Sequence, residues 1–427
     1  MLRQHMFSRF ICSIRNNPFD FIYFLFYAGI LATLAMVLVN PDEALKVFIF
    51  STALSLPLIG KNIKHVCSNK KNLFLPVMLL LFGLLQIIWV EIFKQPGSAF
   101  TGAYRSYQNG GKVMIFAALV MTALASREPC ANTTRITSIW TILTAIGLYL
   151  FAGYEVAGAP DIMTYRVALG FEHQTGTAYA LTLIALLASQ AIINLRLKHT
   201  VALYLLHFLI SLAVIITTQT RAAILVYPIL SVGLFLMYYR HNRIMLFKAL
   251  LGFVILVGLA AIPLKPVLEN RYQNFMLDVH SYSQNNSNTS IGARLAMQQV
   301  GIETGKAHIW GQSLEQRSDE IQRLTVQHPS WQVALIFVNV HLHNEVVDTF
   351  SLKGIPGVVV LLLLYTAMFL IAYWQRSPLL FVVSGAIAVY GLSDLLLYAK
   401  GEALSSVLAL CVAAVLSSNP TRERCHG

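Results

Sequence analysis

About twelve runs of apolar residues, most of them long enough to cross a bilayer as a helix, dominate this 427-residue chain. A spanning helix needs about 20 apolar residues, because the hydrocarbon core is about 30 Å thick and each helical residue rises about 1.5 Å. The runs fall near 19–39, 44–60, 73–93, 113–126, 136–155, 176–194, 200–218, 222–239, 246–264, 354–374, 379–397 and 402–418. Those at 44–60 and 113–126 are short, and no internal repeat is evident. Only 12% of residues are charged, about half the fraction of a soluble domain. The expectation is an all-α integral membrane protein.

Charge orients the helices. One set of short loops holds Lys61, Lys64, Lys70, Lys71, Arg127, Arg135, Arg196, Lys198, Arg240, Arg243, Lys248 and Arg376. The N-terminal arm (Arg3, Arg9, Arg15) and the tail (Arg422, Arg424) fall on that side too. The opposite short loops carry only Lys46, Lys94, Arg105, Lys112, Arg166, Arg221 and Lys400. The positive-inside rule therefore puts both termini in the cytoplasm. It also accounts for the net charge of +12 without nucleic acid, for which no motif is present. The run at 19–39 is too long for a cleaved signal and reads as a first helix. Cys12, Cys67, Cys130 and Cys425 fall on the cytoplasmic side and Cys411 inside the last helix, so no structural disulfide is expected.

Three regions follow: helices one to nine over 1–264, an outer loop over 265–353, and helices ten to twelve with a tail over 354–427. So long a polar loop is usually functional or disordered, and this one carries helical signals. Pro266 precedes the candidate helix VLENRYQNFMLDV. Ser290 is placed to N-cap IGARLAMQQVGIETGK. LEQRSDEIQRLTVQ puts Leu314, Ile321 and Leu324 on one side. Trp331 to Val340 is apolar but too short to span, which suits a membrane interface. The loop is expected to form a helical cap.

Polar residues at the outer ends are the candidates for chemistry. Arg221 ends TTQTR between two spanning helices. It reads either as a snorkelling arginine or as an anion clamp, since guanidinium grips phosphate oxygens in pairs. Arg294, early in a loop helix, reads as a solvated charge or as part of an anion site at a helix N-terminus. His341 and His343 in NVHLHNEVVD cannot share a helix face. A zinc site there would need Glu345 or Asp348 as a further ligand. The simpler readings are a polar helix start, with Asn344, Glu345 and Asp348 favouring the dipole, or a general base, because an imidazole ordinarily titrates near neutrality. Asp394 in GLSD needs a partner, His343 or an arginine. Neither a Walker A sequence nor an outer DxD-type metal site is present, so the energy must come from the substrate or a gradient.

These segments resemble the O-antigen ligase family, within the group that also holds O-antigen polymerases. The resemblance rests on TQTRAAIL around Arg221, IGARLAM around Arg294, and HNEVVDTFSLKG from His343 to Gly354, and it runs most of the length. It implies a GT-C-like membrane glycosyltransferase with a periplasmic site in the inner membrane. The implied donor is an undecaprenyl diphosphate-linked O-antigen, and the implied acceptor is a lipid A-core sugar hydroxyl. It implies no cofactor and no metal. His343 becomes the catalytic base, and Arg221 and Arg294 bind the donor diphosphate. His341, Asn344, Glu345, Asp394 and Arg166 are the supporting candidates. A polymerase would share donor and arginines but use a second lipid-linked glycan as acceptor. A transporter would show midplane breaks and buried charges, whereas the notable charges here sit at helix ends.

Overall fold

The computed structural model describes residues 18–68, 70–126, 131–161, 165–262, 265–284 and 286–417. Arg3, Arg9, Cys12, Arg15, Arg127, Cys130, Arg422, Arg424 and Cys425 lie outside the described residues. Cys67 is exposed and Cys411 buried, and both are free thiols.

The first half consists of α1 (Pro18–Met36), α2 (Pro41–Lys61), the short α3 (Ile63–Ser68), α4 (Lys70–Phe93), α5 (Thr101–Ala125), α6 (Ala131–Ala157) and α7 (Gln174–Asn194). After these come α8 (Thr200–Thr217), α9 (Arg221–Tyr239) and α10 (Arg243–Ala261). Next are α11 (Lys265–Ser283), α12 (Ser290–Ala307), α13 (Leu314–Gln327) and a 3-10 helix (Pro329–Phe337). The chain closes with α14 (Glu345–Trp374), α15 (Pro378–Gly391) and α16 (Lys400–Ser417). Ten described helices are long and apolar enough to cross a membrane. The apolar α10 and the 14-residue α15 correspond to the other two runs.

α7 and α16 form the middle of the bundle. Every residue of α7 from Gly176 to Ile193 is buried. Its Ala178, Ala180, Ala185, Ala188 and Ala191 allow close backbone approach, the main means by which helices associate where lipid is as apolar as leucine. α9 and α10 are peripheral and present Leu225, Ile229, Ile244 and Phe247 outward.

Several helix ends differ from expectation. The fourth helix begins at Thr101, not near 113. Its first turns are polar in sequence, yet Ala103, Tyr104, Tyr107 and Gly110 are buried there. The eleventh stops at Gly391, and residues 392–399 are irregular although Leu395, Leu396 and Leu397 are buried. Asp394 therefore lies in a linker and not on a helix. The tenth begins at Glu345, with Asn344 as N-cap. The N-cap of α12 is Thr289, whose hydroxyl accepts from Gly292 N at 3.1 Å, one residue before the expected Ser290.

α11, α12, α13 and the 3-10 helix occupy the stretch between α10 and α14, called the cap below. Its own core joins Ala296, Met297, Val300, Ile321, Val333 and Ala334. The Trp331–Val340 stretch thus contributes Val333 and Ala334 to the cap interior. Gln312 fastens the cap to the bundle: its Nε2 donates to Ser351 O at 2.6 Å, and Trp89 Nε1 donates to its carbonyl at 3.0 Å.

Gly354 makes the second fastening. Its φ of 60° and ψ of −157° break α14, and Ile355 N donates to Ile309 O at 2.9 Å while Gln312 N donates to Leu352 O at 2.9 Å. A Cβ at Gly354 would lie 2.1 Å from Ile309 O. That backbone region is essentially glycine's alone and costs other residues on the order of 1–3 kcal/mol before any clash. Gly354→Ala is expected to lower the thermal transition of the purified protein sharply or to prevent its recovery as a monodisperse species. A wild-type melting curve would contradict this.

Candidate active site

The link between the 3-10 helix and α14 carries both histidines. His341 Nε2 donates to Asp394 Oδ1 at 2.7 Å, and His343 Nδ1 donates to the same oxygen at 3.0 Å. Leu395 N also donates to it at 2.9 Å. The partner of Asp394 is thus both imidazoles. Burial opposes its charge, yet the two histidine hydrogen bonds hold its carboxyl far below the usual range. Burial likewise disfavours a charged His341, but the hydrogen bond and charge of Asp394 outweigh it and raise the pKa. His341 is the more enclosed of the two, and its Nδ1 is buried without a partner among the described residues. With Nδ1 committed to Asp394, His343 Nε2 has no hydrogen-bond partner among the described residues. Its backbone is held at φ 49°, a left-handed conformation that is uncommon outside glycine and turns up at functional sites.

What holds the link is a buried ion pair. Arg317 Nη1 meets Asp348 Oδ1 at 2.9 Å, with both side chains almost fully enclosed. Arg317 Nη2 donates to Val340 O at 3.1 Å, and Leu342 N donates to Asp348 Oδ1 at 3.1 Å. The pair therefore grips the backbone on either side of His341. Tyr107 donates to Asp348 Oδ2, and Lys353 lies 4.4 Å from the Tyr107 ring centre. Removing one partner of a buried pair leaves an uncompensated charge and typically costs about 3–5 kcal/mol. Arg317→Ala is expected to destabilise the protein to that degree in a thermal melt. An unchanged melting temperature would contradict the grip.

Asn344 caps α14: its Oδ1 accepts from Val346 N and Val347 N, both at 3.1 Å, and its Nδ2 donates to Leu392 O at 3.2 Å. Glu345 is buried, accepting from Tyr365 at 2.8 Å and from Leu397 N at 2.9 Å. Asn344 and Glu345 thus fasten α14 to the linker that carries Asp394.

The arginines gather at the same end. Arg166 donates through Nε to Thr218 O at 3.0 Å and through Nη2 to Thr220 Oγ1 at 3.3 Å. Burial, then the charges of Arg271, Arg294 and Arg221, push its pKa below the ordinary value. Burial and the charge of Arg221 do the same for Arg271, which donates to Gln219. Arg221 pairs with Asp278 at 2.9 Å. Arg294 makes no hydrogen bond or ion pair among the described residues. Four crowded guanidiniums with one close carboxylate leave a surplus of positive charge that a polyanion would relieve. Tyr179 links the two clusters: its hydroxyl lies 3.1 Å from Ser393 Oγ, and it is within electrostatic reach of both Asp394 and Arg294.

His341, His343 and Asp394 offer ligand atoms that all lie within 4.8 Å of one another, which could hold a metal ion. Glu345 and Asp348, the further ligands considered from sequence, are directed elsewhere, to Tyr365 and Leu397 and to Arg317. The two rings each turn one nitrogen onto the same carboxylate oxygen, so an ion placed between them would replace those two hydrogen bonds.

Sequence reasoning missed Arg271, Arg317 and Lys353. Arg317 had a signal: it falls on the same face of α13 as Leu314 and Ile321. A charge on an apolar stripe implies a buried partner.

Residues 206–362 match the family model for O-antigen ligase, a stretch that includes Arg221, Arg271, Arg294, His341 and His343. The curated O-antigen ligase of Escherichia coli (strain K12) is 31% identical over 396 residues, covering 91% of this chain and 92% of that protein. The chain belongs to the O-antigen ligase family. An O-antigen ligase homologue with ten apolar helices of spanning length among its described residues is a multi-pass membrane protein and a glycosyl-transferring enzyme. Within that family setting, the two clusters at the cap end are the candidate transfer site.

Proposed function

We propose that this protein transfers an O-antigen polysaccharide from undecaprenyl diphosphate to a sugar hydroxyl of the lipid A-core, at the periplasmic face of the inner membrane. The observation that carries this reading is His343, with an uncommitted Nε2, at the same bundle end as Arg166, Arg221, Arg271 and Arg294. The acceptor oxygen attacks the anomeric carbon and gives its proton to His343 Nε2. The bond from that carbon to the diphosphate oxygen breaks, and the leaving diphosphate takes the electron pair. Fixed guanidiniums stabilise the charge that develops on it. Asp394 orients His343 and offsets its positive charge once protonated, the part an acid plays behind a catalytic histidine elsewhere. Direct displacement inverts the anomeric configuration. The activated donor makes ATP unnecessary, and the arginines take the charge-stabilising part that a divalent ion plays in other sugar transferases. The cap and the cap-side loops lie outside the cytoplasm in this reading, as the basic residues of the opposite loops suggest.

Deleting the gene and examining both lipopolysaccharide and the lipid-linked pool tests this. The expected result is bare core with accumulation of long lipid-linked O-antigen. Lipopolysaccharide carrying the core plus one repeat would identify a polymerase.

A further inference from the structure

A second basic site lies at the other end of the bundle. α7 runs from the candidate active site to Asn194, 21 residues or roughly 30 Å away, about one bilayer core. There a cavity of about 1470 Å³ opens between α4, α6, α7, α9, α14 and α15, and it is lined by Lys71, Arg135, Arg196, Arg240 and Arg376. No carboxylate is among the described residues that line it, and none of the five cations has an acidic partner among the described residues. Its walls include Ile139, Met237 and Phe381, all three exposed on the outside of the bundle. The cavity therefore joins a cationic floor to the apolar outer surface of the bundle.

Two of the cations sit at unusual backbone positions. Arg196 and Arg376 both have φ of 48°. Each is the second residue beyond its helix, α7 and α14 respectively, after the C-caps Leu195 and Gln375. Glycine is the usual occupant of that position. Two helices end on arginine there, and both arginines line the same cavity. Attraction to the helix dipole accounts for a cation at each end singly. Neither that attraction nor the positive-inside bias of these loops requires five cations from five elements to converge on one cavity with no carboxylate among its described lining residues.

We propose that this cavity binds the phosphate headgroup of an anionic membrane lipid, with the acyl chains lying along the apolar wall. Guanidiniums pair phosphate oxygens bidentately, and the exposed Ile139, Met237 and Phe381 favour an amphiphile over a soluble anion. The site is separate from the transfer chemistry at the cap end.

The test uses the full chain in nanodiscs of phosphatidylcholine with a minor fraction of phosphatidylglycerol, with retained lipid counted by native mass spectrometry. Arg196→Gln combined with Arg376→Gln is expected to lower phosphatidylglycerol retention about tenfold or more, the loss anticipated when two charge-assisted contacts go. Arg243→Gln combined with Lys248→Gln removes two charges from the same end but outside the cavity lining, and it should retain lipid like the wild type. Equal losses in both double variants would reduce the site to diffuse surface charge and overturn the proposal. So would equal retention by wild type and the cavity variant when both are monodisperse with matching melting curves. Complete displacement of the lipid by millimolar inorganic phosphate would also overturn it, by showing that a soluble anion is the ligand.

Discussion

His343→Ala is expected to slow ligation by about 10²–10⁴-fold, the usual contribution of a positioned general base, while binding of a lipid diphosphate analogue survives. The side chain contributes one proton acceptor and leaves the arginines in place, so the loss belongs in turnover and not in donor affinity. His341→Ala should cost less directly, because its Nε2 is committed to Asp394 and its Nδ1 is buried. Asp394→Asn separates base from support. The carboxylate oxygen accepts from two imidazoles and a backbone N–H, and an amide cannot offset the charge that His343 gains. Turnover should fall again with analogue binding kept. A His343→Ala enzyme that ligates at the wild-type rate, or that loses analogue binding outright, is incompatible with the base assignment.

Arg294→Ala is expected to lower turnover by about 10²–10³-fold, the effect of removing one fixed donor aimed at developing charge. Arg294 is the cleanest probe because it has no protein partner among the described residues. Its loss therefore changes the site's charge without breaking a structural contact. Arg221 differs, since its pair with Asp278 joins the N-terminus of α9 to α11 of the cap. Arg221→Ala should impair both transfer and the seating of α11. Lysine at either position should rescue poorly, because an ammonium lacks the planar fork. Full activity of both lysine variants would show that charge alone suffices.

The apolar runs made the helical membrane fold legible, because length and hydropathy are what a bilayer selects. Helix ends were less legible where burial is by protein and not by lipid. The start of α5 at Thr101 is polar in sequence but is covered by Trp89 and Tyr398 around Tyr104 and Tyr107. The linker at 392–399 is apolar in sequence but not helical. At the candidate site, His343, Arg221 and Arg294 were singled out through the family-like segments. His343 was one of two partners the sequence offered for Asp394; that His341 shares the same oxygen was not legible, because it joins positions some fifty residues apart that only the fold brings together. Arg271 was hidden because nothing local distinguishes it from a solvated charge on an amphipathic helix. Gly354 was visible as part of a spacing, and its reason, a break in α14 that pairs with Ile309, required the structure.

The most direct measurement is transfer by the purified protein, reconstituted with a lipid diphosphate-linked polysaccharide and a lipid A-core acceptor, in EDTA and without nucleotide. The expected result is ligated lipopolysaccharide together with one released undecaprenyl diphosphate for each chain transferred. Failure in EDTA with rescue by a single divalent ion would instead assign His341, His343 and Asp394 to a metal. Lengthening of the lipid-linked glycan with no product on the core would contradict the ligase reaction itself.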